Sequence, residues 1–191
     1  MEDQPAVVAK KGSALIPSIV TIAAAVLLCA SYFLPFTSVK DESAATSIFA
    51  QAYEINEGSD LTVSDLANPS IVTWARFYKA YCDRLERPVT SSLNDYSIML
   101  WVIVVSGVAA VLALLFALLR KATPTSLLAL ANLGLISFVG WYFEKYGPVS
   151  SGAASNWAFG RLVMLGSAAV LTAAGVWLFV AKRAEKKAAA A

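Results

Sequence analysis

The side chains of this chain that could ionise, ligate or attack are few and widely spaced. It contains no histidine and only two cysteines, Cys29 and Cys82, which removes histidine acid–base catalysis and histidine-ligated metals from consideration. Cys29 falls inside an apolar run and Cys82 inside a polar loop, so the two are not expected to pair. Asp83, Glu86 and Asp95 gather near one end of an apolar run. Carboxylates at a lipid interface are raw material for acid–base work, yet no neighbouring residue type marks these as other than solvated acids. Glu57, Asp60 and Asp65 lack the ligand spacing of a calcium loop. The sequence also lacks a glycine-rich phosphate loop, a Gly-x-Ser-x-Gly elbow, a zinc-protease helix and paired-cysteine zinc spacing. The expectation is a non-enzymatic protein without cofactor or metal.

Two polar residues stand out by where they fall. Asn132 lies near the middle of an apolar run, where an amide needs a partner. A hydrogen bond to a neighbouring helix there is worth about 0.6–2 kcal/mol, and the alternative is a place in a permeation path. Arg161 lies about one turn into the last apolar run. Its guanidinium either snorkels to the interface or pairs with Glu144 or Asp95. No run carries a central carboxylate or an arginine ladder, the features that proton relays, ion-coupled carriers and voltage sensors need.

These residues are positioned by long apolar segments. Apolar residues make up 58% of the 191 and charged residues 15%, a balance outside the range of soluble domains. Four stretches, Ser13 to Phe36, Ser97 to Leu119, Ala122 to Phe143 and Leu162 to Ala181, contain no Asp, Glu, Lys or Arg. Each suffices to cross a hydrocarbon core of about 30 Å, which takes about 20 helical residues. Barrel strands alternate apolar and polar residues, whereas these runs are apolar on every face, so helices are required. The sequence therefore predicts an all-α membrane protein, a bundle of four transmembrane helices over 13–36, 97–119, 125–143 and 158–181. A cleaved signal peptide competes for the first run. That run exceeds the usual core of about 7 to 15 residues, and Leu28 stands where a small residue should precede the cut.

Charge sets the expected orientation. The tails (1–12 and 182–191) and the turn 120–124 hold eight basic and three acidic residues, net +5, while the opposite side, with Arg161 near the outer end of the fourth span counted there, holds seven basic and ten acidic residues, net −3. The positive side stays inside, which places both termini in the cytoplasm of a plasma (inner) membrane protein. Tyr32, Phe33, Phe36, Tyr96, Trp101, Trp141, Tyr142, Tyr146, Trp157 and Phe159 then form an outer aromatic belt, with Trp177 at the inner interface. Packing between spans is expected through small residues: Thr21, Ala25 and Cys29 in the first, Ser106, Ala110, Ala113 and Ala117 in the second, and Gly166, Ala169 and Ala173 in the fourth.

The loop 37–96 is too long for a simple turn. Asn68 as cap and Pro69 at the first helical position open a pattern of Ile71, Trp74, Tyr78, Tyr81 and Leu85, predicting an amphipathic helix over about 69–86. Arg76, Lys79, Asp83 and Glu86 form its polar face. Ile48 to Ile55 reads as a short helix or a strand, and Asn56 to Asp60 as a turn. Trp74, Phe77, Tyr78 and Tyr81 are the candidate interaction surface, facing the rest of the loop, the outer interface or a protein partner. A short outer loop, 144–157, joins the last two spans.

Four spans with inside termini and a larger first outer loop resemble the claudin and tetraspan plan in topology. This loop has a lone Trp74 and a single Cys82 in place of the claudin Trp-Gly-Leu-Trp motif and cysteine pair, so no claudin residue role transfers. The phrase Ser31-Tyr32-Phe33-Leu34-Pro35-Phe36 and the glycine-punctuated fourth span resemble small uncharacterised bacterial four-span membrane proteins, a resemblance that implies no activity. The short cytoplasmic segments leave no room for a soluble catalytic or nucleic-acid-binding domain, so none is expected. The leading expectation is an interaction or accessory subunit that uses its outer loop. Its partners would be the lipid bilayer and a membrane protein or further copies of itself. The alternatives are a small oligomeric channel or transport component lined by Asn132 with Ser and Thr, and a membrane-embedded enzyme acting on lipid.

Overall fold

In a computed structural model the described residues are 14–39, 61, 65, 67–84, 95–149 and 155–189. They form helices α1 (Leu15–Ser31), α2 (Ile71–Arg84), α3 (Asp95–Leu118), α4 (Ala122–Lys145) and α5 (Phe159–Ala188), and strands β1 (Thr37–Val39) and β2 (Ser155–Trp157). The expected elements over 48–60 lie outside the described residues. Three helices, α3, α4 and α5, are long and apolar enough to cross a membrane, and α1 is a shorter apolar helix of 17 residues. At about 1.5 Å per residue α1 is roughly 26 Å long.

The four apolar helices pack into a bundle in which α1 lies against α5 and α3, and α4 against α3 and α5. Small residues allow the close approach that lipid-facing helices need. Thr21 and Ala25 of α1 and Ser106, Ala110, Ala113 and Ala117 of α3 are buried, and the Cys29 thiol reaches the Ala110 carbonyl at 3.6 Å. In α5 the buried stripe is Gly160, Met164, Ser167, Ala168, Leu171, Ala174, Gly175, Leu178 and Ala181. The expected stripe of Gly166, Ala169 and Ala173 is exposed on the opposite side of the helix. Small residues ring α5 on both sides, so size alone does not choose the face. The choice falls where Gly175 meets Ser126 of α4, since a methyl group on Gly175 would overlap the Ser126 hydroxyl.

Leu, Val and Ile side chains cover the outer faces of the bundle, including Leu15, Ile19, Val108, Leu115, Leu127, Val170 and Val180. An apolar exterior of this extent suits lipid and not water. Eight hydroxyls of the apolar helices are satisfied within their own helix or its cap. Ser18, Thr21, Thr125, Ser126 and Thr172 each donate to the carbonyl four residues back, and Ser31, Ser106 and Ser167 to the carbonyl three back, so none presents a free donor to a central path.

The two ends of the bundle differ. At one end Lys182 donates to the Arg120 carbonyl and the Ala14 amide donates to Glu185, drawing the α3–α4 turn, the start of α1 and the end of α5 together. At the other end the chain departs from all-helical architecture. Strands β1 and β2 pair antiparallel with Thr37 opposite Trp157 and Val39 opposite Ser155, and Pro35 bridges to Ser70. This small ribbon is an addition to the helical bundle: three residues on each side are too short to show an alternating pattern in the sequence. It ties the segment after α1 to the segment before α5.

Candidate functional site

The cap end of the bundle gathers most of the residues singled out by the sequence. Ser70, and not Asn68, caps α2, its Oγ accepting from the Thr73 amide at 3.1 Å. The Pro69 carbonyl is already taken by the amides of Phe36 (2.9 Å) and Thr37 (3.3 Å), so the chain stays extended through Pro69 and the helix begins two residues later than the Asn-Pro pattern predicts. The Val72 amide donates to the Tyr32 carbonyl at 3.3 Å. The Trp74 indole donates to Thr37 Oγ1 at 3.1 Å.

These bonds turn one face of α2 onto the bundle. Phe143 of α4, fully buried, is the hub. Its ring meets Phe36 at 5.8 Å, Trp74 at 5.2 Å, Tyr78 at 6.5 Å and Trp157 at 6.4 Å between centroids. Edge-on and stacked contacts of this kind add to what burial alone provides. Tyr78 and Tyr81 lie against Tyr96 of α3, and the buried Cys82 thiol meets Ser97 Oγ at 3.5 Å. Burial, with Tyr142 and Tyr96 nearby, pushes the Tyr78 phenol well above its ordinary range.

Of the four candidate surface residues, Trp74 and Tyr78 are thus core and not surface, at 9% and 3% exposure. Phe77 and Tyr81 are half-buried at its rim. The reason is local: the bulkiest aromatics of an amphipathic helix gain most by burial, and Phe143 offers a ring within the same molecule. The outward face of α2 carries Arg76, Lys79 and Asp83, with Lys79 and Asp83 paired at 2.5 Å. Phe36 and Tyr32 likewise leave the expected aromatic belt for the core, whereas Phe33, Trp101, Trp141, Tyr146 and Phe159 are exposed.

Asn132 and Arg161 both make contacts across helices, and the Asn132 Oδ1 is buried with no hydrogen-bond partner among the described residues. Asn132 is fully buried, and its Nδ2 donates to the Tyr32 hydroxyl at 3.0 Å and to the Ser106 carbonyl at 2.6 Å. One amide thereby joins α4 to α3 and to the end of α1. Arg161 pairs with Glu144 at 3.4 Å and lies over the Trp157 ring at 3.7 Å. The Trp157 indole donates to the same Glu144 oxygen at 3.2 Å. Three elements, α4, β2 and α5, meet in this cluster. The side chain of Asp95, the other partner considered for Arg161, lies outside the described residues, as does Glu86.

Among the described residues no group of three or more His, Cys, Asp or Glu side chains gathers as a metal set, and both cysteines are free. No family model, curated protein or solved structure matches the chain.

Proposed function

We propose that the chain is a four-span membrane protein that works by association. In this reading its cap end faces outside the cell, and the exposed face of α2 forms the platform for a membrane-protein partner or a second copy. The observation that carries the reading is the two-sided use of α2. Trp74 and Tyr78 fasten it to Phe143, and a fastened helix holds Arg76, Lys79 and Asp83 outward in a fixed array with Phe77 and Tyr81 at its edge. Phe77, Tyr81 and Arg76 are residue types enriched at protein interfaces. Asn132 Nδ2 is taken up by Tyr32 and Ser106, and eight hydroxyls donate within their own helices, which supports the platform over a channel.

A fourth crossing by α1 is supported by its two ends. Ala14 meets Glu185 near the end of α5, and Pro35 accepts from the Gly160 amide at its start, so the segment runs antiparallel along α5. Orientation is supported by the gathering of Arg120, Lys121, Lys182, Arg183, Lys186 and Lys187 at the end opposite the cap. The test is affinity purification of the full chain from native membranes. Arg76→Glu with Lys79→Glu is expected to remove a stoichiometric partner or a discrete oligomer that the wild type retains. An unchanged set of co-purifying chains would refute the platform.

A further inference from the structure

Independently of the cap, the basic end carries a built recess. The turn between α3 and α4 and the last turns of α5 border an open, shallow notch of about 310 Å³ whose walls include Arg120, Lys121, Lys182, Arg183 and Lys186, with Phe179 on its apolar side. We infer that this notch binds the phosphate of an anionic glycerophospholipid, whose acyl chains run along Phe179 and Val180.

The notch is shaped and not merely charged. Arg120 has a left-handed backbone, φ 54°, which is unusual for a residue with a Cβ. That conformation aims its carbonyl at the Lys182 ammonium, closing the turn onto α5; an ammonium has three donors, so Lys182 keeps others for an anion. Arg183 lies over the Phe179 ring at 4.4 Å, which fixes a guanidinium where the apolar helix face gives way to charge. Among the described residues Glu185 is the one acid at this end, and it is turned to the Ala14 amide on the α1 side. The first turn of α4, which forms part of the wall, carries no acidic side chain.

Charge and apolarity together select the occupant. Five cations around one recess demand an anion, and planar guanidinium groups match phosphate oxygens. Phe179 and Val180 continue the recess as exposed apolar surface, which a free phosphate does not need and a lipid does. Basic recesses beside membrane helices are suited to lipid headgroups in this way.

The test uses the full chain in nanodiscs of phosphatidylcholine, with and without phosphatidylglycerol, read by native mass spectrometry and by thermal unfolding. Phosphatidylglycerol is expected to be retained and to raise the unfolding temperature. Arg183→Gln with Lys186→Gln should reduce retention on the order of 30-fold, from two basic contacts, while Lys145→Gln, at the opposite end of α4, should not. Equal retention of the two lipids would overturn the inference, and so would an undiminished preference in the double variant. Inorganic phosphate giving the same stabilisation in phosphatidylcholine would overturn the lipid as its source. Should the double variant not fold, a photoactivatable phosphatidylglycerol on the wild type decides: adducts must map to 120–124 and 179–186, and adducts elsewhere alone would overturn the site.

Discussion

The amide of Asn132 donates to the hydroxyl of Tyr32 across 3.0 Å, joining the middle of α4 to the end of α1. The same nitrogen also holds the Ser106 carbonyl. A side chain that costs free energy to bury is thereby converted into the join between three helices. Asn132→Leu is expected to destabilise the bundle by about 0.6–2 kcal/mol, and Tyr32→Phe by less, because the Ser106 bond survives it. A double-mutant cycle on unfolding in detergent should show the two to be coupled; strict additivity would remove the join.

Phe143 supports the cap from below. Truncation to Ala leaves Phe36, Trp74, Tyr78 and Trp157 around a cavity, and a loss of about 3–5 kcal/mol is expected. Because α2 is fastened through this ring, limited proteolysis should cut within α2 faster in Phe143→Ala than in the wild type, with α3 to α5 still protected.

Tyr78 gives the cap a pH dependence of definite sign. Its phenol titrates higher in the folded protein than its ordinary value of about 10, so its contribution to stability is complete below pH about 10. Above that pH the unfolded chain ionises first and the contribution falls. Melting temperatures measured from pH 8 to 11 should drop more steeply for the wild type than for Tyr78→Phe.

Two glycines mark close approaches where an added Cβ would overlap a neighbour. A methyl group on Gly160 would overlap the Pro35 carbonyl, and one on Gly175 the Ser126 hydroxyl. Gly160→Ala should therefore destabilise by about 1–3 kcal/mol. Gly175→Ala should do likewise and be largely rescued by Ser126→Gly, whereas Gly160→Ala, which meets backbone, has no comparable rescue. Thermal unfolding of the single and paired variants measures both.

Much of this arrangement was legible in the residues. Long charge-free runs gave the apolar helices, and Asn132 and Arg161 announced partners because an unpaired polar group at that depth is costly. The inward face of α2 was legible as a stripe but not as a destination: periodicity places Trp74 and Tyr78 on one side without saying that Phe143, far along the chain, lies beneath them. The same holds for α5, where Gly166, Ala169 and Ala173 match the buried stripe in size and only Ser126 and Pro35 on other segments decide which small residues face inward. The β1–β2 ribbon joins two three-residue segments more than a hundred residues apart, a pairing set by the bundle and not by either segment.

The central claim is that α2 is fastened by one face and associates by the other. A photo-crosslinking residue placed in turn at Arg76, Lys79 and Tyr78, with irradiation in native membranes, tests it most directly. Intermolecular protein adducts are expected from positions 76 and 79 and only intramolecular adducts, to α3 or α4, from position 78. Intermolecular adducts from position 78, or none from 76 and 79, would contradict it.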